Sequence, residues 1–112
     1  MNYNIGIETM NNELDLGRLI QSLDSRDRQV HKKAIEDLAN SDPIPKELFI
    51  KLLVDKSDNI RSGIEDVLIK IGKPVVSSLI LSLKSESRDL RMRSAKVLGK
   101  MLDPDAIEPL SI

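Results

Sequence analysis

Apolar residues recur along this chain in two interlocked rhythms. The short rhythm is helical. Leu16, Leu19, Ile20 and Leu23 fall at i, i+3, i+4 and i+7, and Ile60, Ile64, Val67, Leu68 and Ile71 repeat that stripe further on. The long rhythm is thirty residues: LIQSLDSRDRQVHKKAIEDL from 19, FIKLLVDKSDNIRSGIEDVL from 49 and LILSLKSESRDLRMRSAKVL from 79 align without a gap. Leu19, Phe49 and Leu79 share one phase, as do Ile20, Ile50 and Ile80, and Leu23, Leu53 and Leu83. Val30, Ile60 and Leu90 follow, then Leu38, Leu68 and Leu98. Self-similarity at a fixed period of this length is the mark of a helical repeat.

Polar positions supply the boundaries. Asp27, Ser57 and Ser87 each stand three residues before the apolar column that opens the second helix of a unit. Their side-chain oxygens suit an N-cap, where one accepts a bond from an otherwise orphaned backbone N–H. Stop signals follow at NSDPIP (40–45), IGKP (71–74) and LDP (102–104). Ile44 precedes a proline and is biased away from helical geometry, so the next helix is expected to start near Pro45. Gly72 is expected to end a helix.

Each unit is thus a helical hairpin with one apolar face too large to hide alone. Stacking such hairpins hides those faces, which predicts an all-α fold: an α-solenoid of about three hairpins. The units run approximately over 14–42, 43–72 and 73–103, with a partial fourth at 104–112 and an N-terminal tail or cap at 1–13. A four-helix bundle tolerates the same periodicity without requiring equal loops or a strict repeat.

The third unit carries a family likeness. LRMRSAKVLGKMLDPDAIEPL resembles the HEAT-like repeats related to those of phycobilisome lyases, with their V-R-x-x-A-A-x-A-L-G pattern followed by G-D-P and A-V-E-P-L. The resemblance spans roughly residues 14–110 and is weakest in the first unit. His31 stands where Arg61 and Arg91 match the family arginine, Ile64–Glu65 replaces an Ala–Ala pair, and Leu102 replaces a glycine. The likeness implies a hydrogen-bonded ladder between units, built from Arg61 and Arg91 with Asp55, Asp58 or Asp89. His31 would be its weaker rung at neutral pH. The larger Ile64 implies a wider gap between neighbouring helices.

The fourth unit lacks a second helix. Ile107, Leu110 and Ile112 are expected to cap the third hairpin, with Ile5, Ile7 and Met10 or the first helix covering the other end. Alternatively they form an open edge that pairs with another copy, giving a homodimer, or the chain is a fragment of a longer array.

Composition narrows the function. Of 112 residues, 31% are charged and 40% apolar, which suits a soluble helical domain. No apolar run can span a bilayer, and MNYNIGIETMNN has neither the early cations nor the apolar core of a secretory signal. A prokaryotic cytoplasm is the expected setting. The absence of cysteine removes disulfides, thiol catalysis and the usual zinc clusters. The net charge of −1 gives no global pull toward nucleic acid or lipid, and Tyr3 and Phe49 are too few to stack bases.

Candidate chemistry is sparse. His31 follows Asp27 by one helical turn, but no second histidine completes a triad or metal shell, so a capping acid beside an imidazole is expected. Glu36 and Asp66 share a phase on successive second helices, which packed helices would bring within the range of a carboxylate pair. Nothing in the sequence builds a pocket around them, and Lys96 continues their column with opposite sign. No glycine-rich phosphate loop is present. No catalytic residue, metal or cofactor is expected.

Removing the apolar columns from the second helices leaves Lys32, Lys33, Glu36, Ser62, Gly63, Asp66, Lys70, Met92, Arg93, Lys96 and Lys100. In the resembled family these helices line the concave side, where partners bind. The expected function is a non-catalytic protein–protein scaffold or adaptor that holds a partner there. The basic end at Lys70, Arg93, Lys96 and Lys100 predicts an acidic patch on that partner. Nucleic-acid binding through the same basic end is the alternative, as in HEAT-like DNA glycosylases. An accessory role like that of phycobilisome lyases, which attach a bilin to acceptor cysteines, ranks third.

Overall fold

The computed structural model describes residues 15–102. They form six α-helices and, among the described residues, no strand. The first, α1, is described through 15–22. It is followed by α2 (Arg28–Ala39), α3 (Lys46–Lys51), α4 (Asp58–Ile71), α5 (Lys73–Ser82) and α6 (Arg88–Met101), with a 3₁₀ turn at Leu52–Val54 closing α3. The fold is all-α, and its helix packing is consistent with an α-bundle. Ile107, Leu110 and Ile112, like Ile5, Ile7 and Met10, lie outside the described residues.

The expected boundaries hold to the residue at the caps. Asp27 accepts from the Gln29 N–H, Ser57 from Ile60 and Ser87 from Leu90, so α2, α4 and α6 each begin on a capped donor. One turn earlier the chain is pinned in the same way each time. Ser25 Oγ, Asp55 Oδ2 and Ser85 Oγ accept from the N–H of residues 27, 57 and 87, each at 3.0 Å. Thus the thirty-residue rhythm of the sequence reappears as a repeated local geometry. Helix α3 starts at Lys46, directly after Pro45. Gly72, at φ 77°, turns α4 into α5 with a single residue between them. A side chain would be strained in that left-handed region, which is why glycine stands there.

Helix α2 packs on α4, α4 on α6, α3 on α5, and α5 on α6. Between these contacts lies one core of Leu23, Leu38, Phe49, Leu53, Ile64, Val67, Leu68, Val75, Leu79 and Val97, all fully buried. Burial along the thirty-residue columns is uneven. Phe49, Ile50, Leu53, Ile60 and Leu68 of the middle unit are all buried, whereas Val30, Ile80 and Leu83 of the flanking units are exposed. The middle hairpin is covered on both sides by its neighbours, and each flanking one by a single neighbour among the described residues. Ile64 lies in the core at zero exposure.

Candidate interaction surface

The exposed side of α2, α4 and α6 carries most of the residues that the helical pattern placed there. Lys32, Lys33 and Glu36 are exposed on α2, Ser62, Asp66 and Lys70 on α4, and Met92, Lys96 and Lys100 on α6. Arg93 is half-buried. Gly63 departs from the expectation: it is buried, not exposed. A Cβ built on it would lie 2.7 Å from Leu23 Cδ2 and 3.2 Å from His31 Cε1, so the α4 backbone meets the side chains of the α1–α2 connection and of α2 there. Gly63 sits three residues after Ile60, on the inward stripe. Lacking a side chain, it left no mark in the apolar pattern.

The charges at the α6 end are largely answered from within. Glu65, the residue standing in the small-residue slot, is 5% exposed. Its two carboxylate oxygens face two lysines of the next second helix, Lys100 Nζ at 3.2 Å and Lys96 Nζ at 3.5 Å. Arg93 Nε donates to Asp89 Oδ1 at 2.8 Å along its own helix. The basic end read from sequence is therefore a paired group more than a free one, and Lys70 is in no ion pair among the described residues. The missed residue was Glu65. Its signal was a carboxylate at a position that the resemblance reserves for alanine.

Among the described residues, Arg61 and Arg91 do not bridge units. Arg61 donates from Nη1 to the Asp55 carbonyl and pairs through Nη2 with Asp58, and Arg91 Nη1 donates to the Ser85 carbonyl at 2.6 Å. Each ties the start of its helix to the turn before it, which corrects the expected inter-unit ladder. His31 does the same job differently. Its Nδ1 donates to the Leu23 carbonyl at 2.7 Å, since a carbonyl can only accept. Contacts between units come instead from Ser57 Oγ, which donates to Asp24 Oδ1 at 2.7 Å, and from Glu65 with its lysines.

Asp66 has its carboxyl raised above the ordinary carboxylate range. Lost hydration is the main cause; Lys100 opposes it, Glu65 reinforces it, and His31 opposes it again. The residue as a whole remains exposed, so this is a shielded carboxyl at the helix surface. Glu36 and Asp66 both face solvent. No helix of the described residues is long and apolar enough to cross a membrane. Comparison of the chain with protein-family models gives no match, and comparison with curated proteins gives none.

Proposed function

We propose that the chain is a HEAT-like helical-repeat adaptor, a solenoid of about three stacked hairpins that holds a protein partner on its second-helix layer and performs no catalysis. The observation that carries this reading is the serial packing of α2 on α4 and α4 on α6, with exposed residues of all three helices in thirty-residue register. Such a layer offers partners a continuous side-chain surface, which is how solenoids work. The identical capping turns at Asp27, Ser57 and Ser87 support the repeat assignment. A prokaryotic cytoplasmic location belongs to the same proposal.

Nucleic-acid binding ranks lower because, of the cations on which it depended, Lys70, Arg93, Lys96 and Lys100, the last three are paired with Asp89 and Glu65. A lyase-like accessory role has no chemical group to support it. The test is affinity capture from the source cell's lysate, after nuclease treatment, with wild type and a Lys70→Glu/Met92→Glu variant. Both side chains are exposed, and neither is in an ion pair among the described residues. The adaptor reading expects a protein retained by wild type and by a first-helix control, Lys51→Glu/Lys73→Glu, and released by the layer variant. Retention by the layer variant and loss from the control would move the site to the first helices.

A further inference from the structure

One group of cations without an ion-pair partner among the described residues lies at the opposite end from the one that the sequence emphasised. Ser25, Arg26, Arg28, His31, Lys32, Ile35 and Asn59 line an open recess of about 640 Å³, between the α1–α2 turn, the first two turns of α2 and the start of α4. No carboxylate among the described residues lines it. Among the described residues, none of the ion pairs engages Arg26, Arg28 or Lys32.

The nearby acids are committed elsewhere: Asp27 Oδ1 accepts from the Gln29 N–H at 2.9 Å, and Asp24 Oδ1 accepts from Ser57 Oγ at 2.7 Å. The first turn of α2 holds no acidic residue, whereas α4 has Asp58 and α6 has Asp89 there. Three exposed cations thus line one recess, and Arg28 stands in the first turn of α2, where the helix dipole disfavours a cation. An incoming anion is favoured by both.

We propose that this recess binds the carboxylate side chains of an acidic, extended peptide segment of a protein partner. Its volume lies within the range of small binding clefts, yet it is open and its cations are exposed, so each contact is weak and several must act together. That suits a segment presenting successive carboxylates better than a single small anion. Ile35 adds an apolar wall for an aliphatic side chain between acids. Among the described residues, no aromatic side chain lines the recess for bases to stack on, which disfavours single-stranded nucleic acid. The floor is held in shape by the His31–Leu23 bond and by Gly63, whose missing side chain lets the imidazole lie against α4. The recess adjoins the second-helix layer through Lys32 alone, and this inference stands whether or not the layer binds anything.

The probe is a fluorescein-labelled peptide of about twelve residues repeating Glu-Asp-Leu, with a Gln-Asn-Leu analogue and a random DNA duplex as controls, read by fluorescence anisotropy with the full chain. The expected result is saturable binding of the acidic peptide alone. It should weaken at least about tenfold in Arg26→Glu/Arg28→Glu and fall as salt screens the charges. Arg26→Gln/Arg28→Gln supplies the same readout should the charge reversal perturb the helical signal. Lys70→Glu/Met92→Glu should bind the peptide as wild type does, which separates this site from the layer. Equal binding of the neutral analogue, preference for the duplex, or indifference to both recess variants would each overturn the proposal.

Discussion

Gly63→Ala places the packing argument at its most exposed point. In a helix interior, alanine is favoured over glycine by about 0.8–1.0 kcal/mol, so substitution at an unhindered site stabilises. Gly63 is hindered. Its new Cβ would meet Leu23 Cδ2 at 2.7 Å, with Leu23 Cγ and His31 Cε1 each at 3.2 Å. Optimal carbon contacts lie near 3.5–4.0 Å, so one contact is short by about 1 Å and two by a few tenths. A flexible methyl could usually swing away, but Leu23 is fully buried and the imidazole is pinned by its bond to the Leu23 carbonyl.

Overpacking of this kind costs about 1–3 kcal/mol, which overrides the propensity gain and leaves a net destabilisation of up to ~2 kcal/mol. Gly99 is the internal control. It lies in α6, is exposed, and a Cβ there meets nothing within 4 Å, so Gly99→Ala should stabilise by about 0.5–1 kcal/mol. Urea melts followed by the far-UV helical signal measure both, at unchanged denaturant slope. In a Leu23→Ala background the clash disappears and Gly63→Ala should become stabilising, a coupling of at least ~1 kcal/mol. Should Gly63→Ala stabilise as much as Gly99→Ala, or act identically in both backgrounds, the close approach of α4 to the α1–α2 connection is wrong.

Further predictions rest on polar groups in the interior. Ser94 is fully buried and its Oγ has no hydrogen-bond partner, so Ser94→Ala should raise stability by about 1 kcal/mol in the same melts; a loss of stability would mean the hydroxyl is satisfied. Removing both lysines around Glu65, as Lys96→Ala/Lys100→Ala, strands a buried carboxylate and should cost about 2–4 kcal/mol, discounted for the half-exposed lysine ends. Glu65→Leu should be close to neutral, and equal losses in the two variants would refute a role for desolvation. Asp66 titrates with a raised folded pKa, so the stability linked to its protonation is present below its unfolded value near 3.8 and is lost as pH rises through the folded value. Asp66→Asn should therefore be more stable than wild type at neutral pH, with the gap closing as pH falls toward 4; a constant gap would remove the assignment.

Much of the fold was legible because it depends on local chemistry. Helix starts at Asp27, Ser57 and Ser87, the stop and restart around Pro45 and the turn at Gly72 all follow from which side chains can satisfy or release a backbone group within a few residues. The apolar columns likewise announced a repeated hairpin. What the period could not express was depth. Leu23, Leu53 and Leu83 are equivalent letters in equivalent places, yet the first two are buried and the third is exposed. Burial is set by whether a neighbouring hairpin covers the side on which a residue lies, as the second unit covers Leu23 at Gly63, and no single unit encodes that.

The surface was read less well than the core, for a related reason. Charge in a sequence is a list of signs, whereas charge in a fold is a set of pairs. Lys96 and Lys100 looked like free cations until α4 brought Glu65 between them, thirty-one and thirty-five residues away along the chain. Arg26 and Arg28 drew no reading from the sequence, and Lys32 stood only in the row along the second helices; the recess beside Asn59 sets them together with no acid among its described lining residues. Gly63 reads as a blank in any hydropathy pattern, because the information it carries is how closely the α4 backbone meets the Leu23 and His31 side chains. The sequence alone determined where helices begin, where they end and which faces turn inward, since those rest on contacts a few residues long. Only the tertiary structure decided which charges cancel, which remain to meet a partner and where two elements touch, because those depend on residues that the chain keeps far apart.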